Sequence, residues 1–356
     1  MPTLKLVSWN GEWMNSWFTP GDGPAAFRLP TFPTLEGEIN DTVTTVTRMA
    51  AVIRDLDPDV LALQEGPSRA AELELFIATY LSDGGVPRYS SILGDSGGAQ
   101  KLALLWKPSV VSAQRALHDS INTLIDPWRA DVNGVAVLEE YGFTRVPLVV
   151  DVTFGPHVFQ ILVNHTKSNF INNGASLWND PAKRQEFIVA ALLNRRRNAN
   201  ECQHIRDYLD DRLAAQPDAR IIVVGDLNDG PGRDYFESLY LTHNVTDVLI
   251  GSVFDPETAF RHAQHDVART NRWTAEFDDF VGVRVPGQVD PVPKPNTRVL
   301  LDHILLSPGF HGAGGLRKSG PGRIGHTAYE AHLVNGGQKR QDRPSDHRPV
   351  TVPLAY

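Results

Sequence analysis

Apolar side chains come in short runs along this chain, broken by polar and Gly/Pro-rich stretches. Leu4 to Trp9, Val60 to Leu63, Lys101 to Trp106, Val146 to Thr153, Val158 to Val163, Ile221 to Val224, Val299 to Leu306 and Val350 to Leu354 read as strands. The run Ile221-Ile222-Val223-Val224 is apolar at every position, which predicts a strand buried on both faces. Gly225 then ends it, and Asp226 and Asn228 emerge beyond it on one side. Between strands the period lengthens to that of helices. Asn40 or Asp41 caps a helix with Val43, Val46, Ala50 and Ile53 on one face. Ala70 to Leu81 is a second, stopped by Gly84-Gly85. Ala182 to Ala215 is a long helical region with Cys202, Ile205, Leu209 and Leu213 on one stripe. Its first half is broken by Arg195-Arg196-Arg197, read as a solvated face or loop. Asp234 to Leu241 is a short helix. The stretches 15–37, 251–298 and 308–337 carry little regular pattern. No linker or repeat divides the chain, so the pattern predicts one domain, residues 1–356, with long loops at those three places.

Composition narrows the class. The 356 residues are 41% hydrophobic and 21% charged, the balance of a soluble globular protein. No apolar run approaches the ~18–20 residues a membrane span needs. The N-terminal MPTLKLVSWN enters strand-like sequence directly, so the expected location is cytoplasmic, or secreted if a signal was removed. Cys202 is the only cysteine, which excludes an intrachain disulfide and a Cys-based metal site. The net charge of −8 argues against a broad basic face for wrapping duplex DNA. A local basic groove, or an acidic site that recruits a cation to meet a phosphate, stays open.

The candidate chemistry lies in where polar residues interrupt the apolar runs. Asn10, Glu65, His165, Asp226 with Asn228, and Asp346-His347 each stand at or beside a strand end, and Asp302 lies inside a strand. Each has an ordinary reading as a strand terminator, a loop pair or a satisfied core histidine. Several such coincidences at once favour a shared rim. Oxygen ligands such as Asn10, Glu65 and Asp346 suit a hard cation, Mg²⁺ or Mn²⁺, that keeps waters for substrate oxygens. Zinc would want His and Cys, and neither HExxH nor paired Cys is present. A His beside carboxylates suits phosphate hydrolysis, as charge partner or proton acceptor.

These residues carry a resemblance. SWNGE (8–12), LQE (63–65), NHTKS (164–168), GDLND (225–229), LDHILLS (301–307) and SDHRP (345–349) together resemble the endonuclease/exonuclease/phosphatase superfamily, in its order and over nearly the whole chain. The resemblance implies a DNase I-like α+β fold, a four-layer αββα sandwich of two mixed β-sheets flanked by helices. It implies Glu65 as the main metal ligand, with Asn10 and Glu12 supporting the metal or its waters and Asp346 reaching it. Glu12 stands where many relatives have Asp, which leaves its reach to the metal open. Asp226 would orient or deprotonate the attacking water, Asn228 would hold the phosphoryl oxygen or nucleophile, and His347, oriented by Asp302, would contact the scissile phosphate. His165 would stabilise charge on phosphorus.

The expected function is a Mg²⁺-dependent phosphoesterase acting by direct water attack, first a nuclease on DNA or RNA, second an enzyme of lipid headgroups or small phosphate esters. A catalytically dead binding module would have lost some of Glu65, Asp226, Asn228, Asp302 or His347, and all are present. No obligate protein partner is evident and a monomer is expected. Substrate selection is assigned to the long loops, with Trp17 and Phe18 as a stacking platform and Arg317, Lys318 and Arg323 as a cationic wall. Trp13, Trp17 and Phe18 equally read as aromatics for a membrane interface or packed under their loop, and Lys167 beside the rim as a phosphate contact or an ordinary surface cation.

Overall fold

The structure is a computed structural model that describes residues 1–28, 32–34, 37–39, 41–231, 234–240, 244–288, 290–312 and 314–356. The strands that build it are β1 (Thr3–Asn10), β2 (Val60–Gly66), β3 (Ser90–Leu93), β4 (Lys101–Trp106), β5 (Ser112–Arg115), β6 (Leu148–Phe154), β7 (His157–His165), β8 (Ile221–Asp226), β9 (Ala275–Val283), β10 (Val292–Val299), β11 (Asp302–Leu306) and β12 (Val350–Ala355). The main helices are α1 (Thr42–Leu56), α2 (Ala70–Tyr80) and α3 (Arg184–Ala215). One sheet runs β12-β1-β2-β4-β3, extended beside β12 by Arg317–Lys318 and Arg323–Ile324; the other runs β11-β8-β7-β6-β5, with Arg261–His262 beyond β11. In each, one central pair is parallel, β1 with β2 and β7 with β8, and its neighbours are antiparallel.

Strand alternation explains the layering. Leu4 and Leu6 of β1, Ile222 and Val224 of β8, and Val352 and Leu354 of β12 share the core between the sheets. Val7 and Trp9 of β1 turn outward to Val46, Met49 and Ile53 of α1 and Phe76 of α2. Ile221 and Val223 of β8 turn outward to Cys202, Ile205, Leu209 and Leu213 of α3. Strands apolar on both faces are therefore sandwiched on both, and the fold is a four-layer α+β sandwich.

Several expectations are corrected. Of the two expected caps of α1, Asn40 lies outside the described residues; the Asp41 carboxylate accepts the Thr44 N–H at 3.0 Å. Val43 is exposed, and the face of α1 is turned to bury Thr42, Thr45, Val46, Met49, Val52 and Ile53. The short helix ends at Tyr240, and Leu241 also lies outside the described residues. The strand expected over Val299 to Leu306 is split, because the N–H groups of Leu301 and Asp302 donate to Thr274 Oγ1 rather than to a ladder. Asp302 therefore opens β11. Within 251–298, β9 and β10 pair as a hairpin, and register shifts at Asp279 break the alternation that would have revealed it. The arginines do not break α3: Arg195 pairs with Asp234, Arg196 donates to the Asn133 carbonyl, and the helix is continuous for 32 residues. Gly225 lies inside β8 at φ 138°, where a Cβ would stand 1.9 Å from the Asn164 carbonyl oxygen. Among the described residues no helix is long and apolar enough to cross a membrane.

Candidate active site

Strand register brings the site together. His165, Asp226 and Asp302 are direct partners across β7, β8 and β11, so their side chains rise in a row on one face at spacings of ~4.8 Å. A register slip of one residue would turn any of them to the opposite face. On the other sheet Asn10 ends β1, and Glu65 sits in a bulge of β2 against β4, at φ 56°. Such a bulge re-aims one side chain out of the alternation. His347 precedes β12 and is held by its backbone: its N–H donates to Ser345 Oγ at 3.1 Å and its carbonyl accepts Trp9 Nε1 at 2.9 Å.

The two rims meet through short contacts. Asn10 Nδ2 donates to Glu65 Oε1 at 3.1 Å and to Asp226 Oδ2 at 3.0 Å, joining the sheets. Glu65 Oε2 also accepts the Trp13 N–H at 2.9 Å and Gln100 Nε2 at 2.6 Å. Asp226 Oδ1 accepts the Asn228 N–H at 2.8 Å. His347 Nδ1 meets Asp302 Oδ2 at 2.7 Å, while its Nε2 stands 3.8 Å from Asp226 Oδ2. His165 Nε2 lies 3.6 Å from Asp226 and 3.8 Å from Glu65, and its Nδ1 is buried without a partner among the described residues.

Charge follows from this crowding. Burial, then repulsion by Asp346, pushes the Glu65 carboxyl up to about 8. Burial raises Asp226 to about 6, against the pull of His347. Burial alone would lower His347, but Asp302, Asp226 and Asp346 outweigh it and hold the imidazole protonated well above the usual histidine range. His165 is driven the other way, by burial and then by Arg145 and His347, and is neutral.

The donor set fits a hard divalent cation at Glu65. That carboxyl is crowded by Asp346 and offers two oxygens, with the Asn10 amide beside it. Among the described residues no three His, Cys, Asp or Glu side chains are arranged to hold an ion by themselves. A Mg²⁺ site needs no such cage, because this ion is bound through one or two carboxylates and otherwise keeps water and phosphate oxygens.

The structure gathers His165, Asp226, Asn228, Asp302, His347, Asn10, Glu65 and Asp346 at one place. It engages others elsewhere or sets them apart. Glu12 stays beside the rim, its N–H on Asn10 Oδ1 at 2.9 Å, but both its oxygens are taken by Arg343, with Arg340 Nε a further 3.2 Å from Oε2, so its carboxylate is engaged in an ion pair. Arg317 and Lys318 pair with Ala355 and Leu354 at the far end of β12, roughly 17 Å along the strand from its His347 end. Lys318 is bound to Asp266. Arg323 is opposite Thr351, nearer the rim, so the three form no common wall. Trp17 and Phe18 are buried at 0% and 1% exposure under α1 and α2 and offer no stacking surface. Lys167 lies two residues past His165, with its Nζ on the Ser168 carbonyl at 2.8 Å.

Several contributing residues do not stand out among the strand-end polar residues. Gln100 bonds Glu65 and is itself bonded by Arg145 Nη2 at 2.7 Å. From α3, Asn198 donates to the Leu227 carbonyl at 3.0 Å, and Glu201 accepts the N–H groups of Thr144 and Lys167 at 2.8 and 2.9 Å. These two residues on one helix hold the loops after β7 and β8. Their spacing on the side of α3 that bears Cys202 and Ile205 was a legible clue to inward-facing polar groups.

A profile of the Endonuclease/Exonuclease/phosphatase family matches residues 34–347. Among solved structures, TDP2 from C. elegans is similar at 14% identity over 99% of this chain and 75% of that chain, with a TM-score of 0.51. A humanized D. rerio TDP2 carrying 14 mutations is similar at 13% identity over 99% of both chains, with a TM-score of 0.50. At such identity these likenesses speak to the fold alone. No curated protein matches the chain in sequence.

Proposed function

The chain belongs to the Endonuclease/Exonuclease/phosphatase family, and from that premise we propose that it is a divalent-metal-dependent phosphodiesterase that cleaves by direct attack of water, with nucleic acid as its substrate. The observation that carries this reading is the opposition at the rim of a carboxylate poised near neutrality, Asp226, and an imidazolium, His347, beside the acidic corner of Glu65 and Asp346. Asp226, its carboxylate held by the Asn228 N–H and Asn10 Nδ2, takes the proton of the attacking water. With a pKa near 6 it is a stronger base than an ordinary aspartate yet ionised at neutral pH. Asp302 fixes His347 Nδ1, leaving the Nε2–H to meet a phosphoryl oxygen. Neutral His165 lends a hydrogen-bond donor to the same developing charge, and the Asn228 side chain, whose Nδ2 is tied to the Thr166 carbonyl at 3.0 Å, presents its Oδ1 to the nucleophile. Glu65, with Asn10 and Asp346 beside it, would hold a Mg²⁺, which would supply Lewis-acid charge to the phosphoryl group.

Nucleic acid is favoured as the substrate class by the cations on the His165 flank. Arg145 reaches this corner through Gln100, and Lys167 lies two residues past His165. A panel of single-stranded DNA, RNA, plasmid, phosphatidyl diester and a small chromogenic diester, each with Mg²⁺ and with excess chelator, tests the reading. Turnover of a nucleic acid that stops in chelator is expected. Undiminished activity in chelator would overturn the metal assignment, and turnover of the lipid or small ester alone would overturn the substrate.

A further inference from the structure

The loop after His165 has a feature that catalysis of water attack does not use. Four of the five residues from Thr166 to Phe170 are tied to strands or to α3, and Ser168 is bonded within the loop. The Thr166 N–H donates to the Asp226 carbonyl at 3.1 Å and its Oγ1 to the Leu227 carbonyl at 2.7 Å. The Lys167 N–H donates to Glu201 at 2.9 Å. Asn169 Nδ2 donates to the Asn228 carbonyl at 3.0 Å, and the Phe170 N–H to Ser168 Oγ at 3.1 Å. The Phe170 carbonyl accepts Asn194 Nδ2 of α3 at 3.1 Å. Yet the Phe170 ring is 72% exposed. A lone exposed aromatic is ordinary; one held in water by a pinned backbone, next to Asn169 that bonds the Asn228 carbonyl, is a preorganised surface.

Cations lie on the same flank of the fold. Arg197 is three residues after Asn194 and four before Glu201 on α3, so its side chain rises between the residue that holds Phe170 and the one that holds Lys167. Arg197 is exposed and has no ion-pair partner among the described residues. Glu201, which holds the Lys167 N–H, is one helical turn from Arg197; burial and then the charge of Arg197 lower the Lys167 ammonium, against the pull of Glu201 and with a further contribution from Arg145. A flat apolar ring beside cations, at the edge of a phosphoester site, matches a nucleotide's base and phosphate.

We propose that Phe170 and Arg197 form a subsite for the nucleotide next to the scissile phosphate, the base stacking on Phe170 and its far phosphate meeting Arg197. This rests on the nuclease reading and deepens it. The leaving or retained strand thus follows the loop 167–170 along α3 rather than the residues beside β12.

The test compares the wild-type protein, Phe170→Ala, Phe170→Trp and Arg197→Ala on three substrates with Mg²⁺. These are a single-stranded oligonucleotide, the same oligonucleotide with an abasic residue on either side of the cleaved bond, and bis(p-nitrophenyl) phosphate. Phe170→Ala is expected to raise KM on the oligonucleotide about tenfold, as loss of one base stack does. It should act no differently from wild type once the stacked base is absent, and Phe170→Trp should restore the KM. Arg197→Ala should reduce the slope of log KM against log salt by about 0.7, one phosphate contact on a single strand. Equal losses by Phe170→Ala on the oligonucleotide and the small diester, or unchanged KM and salt slope on the oligonucleotide, would overturn the subsite while leaving the nuclease reading intact. A wild-type protein that cleaves no nucleic acid would overturn both.

Discussion

In metal-free protein the Glu65 carboxyl ionises only near pH 8 rather than at 4.5, because burial and then the charge of Asp346 oppose its anion. A carboxyl raised in this way costs the folded state nothing below its unfolded value, and the cost accumulates as pH climbs from 4.5 to about 8. At about 1.4 kcal/mol for each pH unit, the full cost of ionised Glu65 is on the order of 5 kcal/mol. The side chain is 13% exposed, so water screens little of it. That is a large share of the ~5–15 kcal/mol that holds a typical domain folded. A divalent cation on Glu65 offsets it and displaces the proton. The melting temperature of chelator-treated protein should therefore fall between pH 5 and 8.5, and the rise on adding Mg²⁺ should be small at pH 5 and large at pH 8.5. Below pH 8 the apparent Kd for Mg²⁺ should fall by up to about tenfold per pH unit. Calorimetry in two buffers of different ionisation enthalpy should find close to one proton released per ion at pH 6.5. Glu65→Gln should abolish both the pH dependence and the release. Mg²⁺ stabilisation that is equal across pH, or a pH dependence that survives in Glu65→Gln, would refute the reasoning.

Asp302→Ala and His347→Ala should each lower kcat/KM by roughly 10²–10⁴, and the double variant should lose little more than the worse single, because the pair acts as one unit; losses that multiply would argue against it. The rate below neutrality should rise with pH through about 6 as Asp226 loses its proton, a limb that Asp226→Asn removes in a pH profile of kcat/KM. Gly225→Ala should cost more than ~3 kcal/mol in urea unfolding, since a Cβ there meets the Asn164 carbonyl at 1.9 Å in a backbone conformation few other residues adopt. Glu12→Gln should lower stability by about 2–4 kcal/mol through its arginine partners and leave Mg²⁺ affinity unchanged in calorimetry; a tenfold weaker affinity would return Glu12 to the metal.

Much of the site was legible because its members interrupt strongly apolar strands. Asn10, His165 and Asp226 close β1, β7 and β8, and a polar residue at the end of a buried strand is conspicuous. The same logic failed where partners lie far away in sequence. Glu12 and Arg343 are 331 positions apart, and nothing local to SWNGE announces an arginine. The β9–β10 hairpin escaped because its bulges disturb the alternation on which strand reading depends. Arg317, Lys318 and Arg323 read as one basic cluster, yet they pair with residues at different heights along β12. Distance along the chain says little about position along a strand.

The pairing of β1 with β12 has a consequence for how the protein comes into being. β1 is made long before the neighbour it waits for: Thr3 pairs with Ala355, and Trp9 reaches His347 across 338 positions. At ~5–20 residues per second a ribosome needs about 17–70 s to cover that interval. For most of it the nascent chain already carries Asn10 and Glu65 but not His347, and one edge of β1 stands open to any other strand. The emerging polypeptide thus lacks a complete rim until His347 and β12 arrive, and it is during the same interval that chaperones have most to protect.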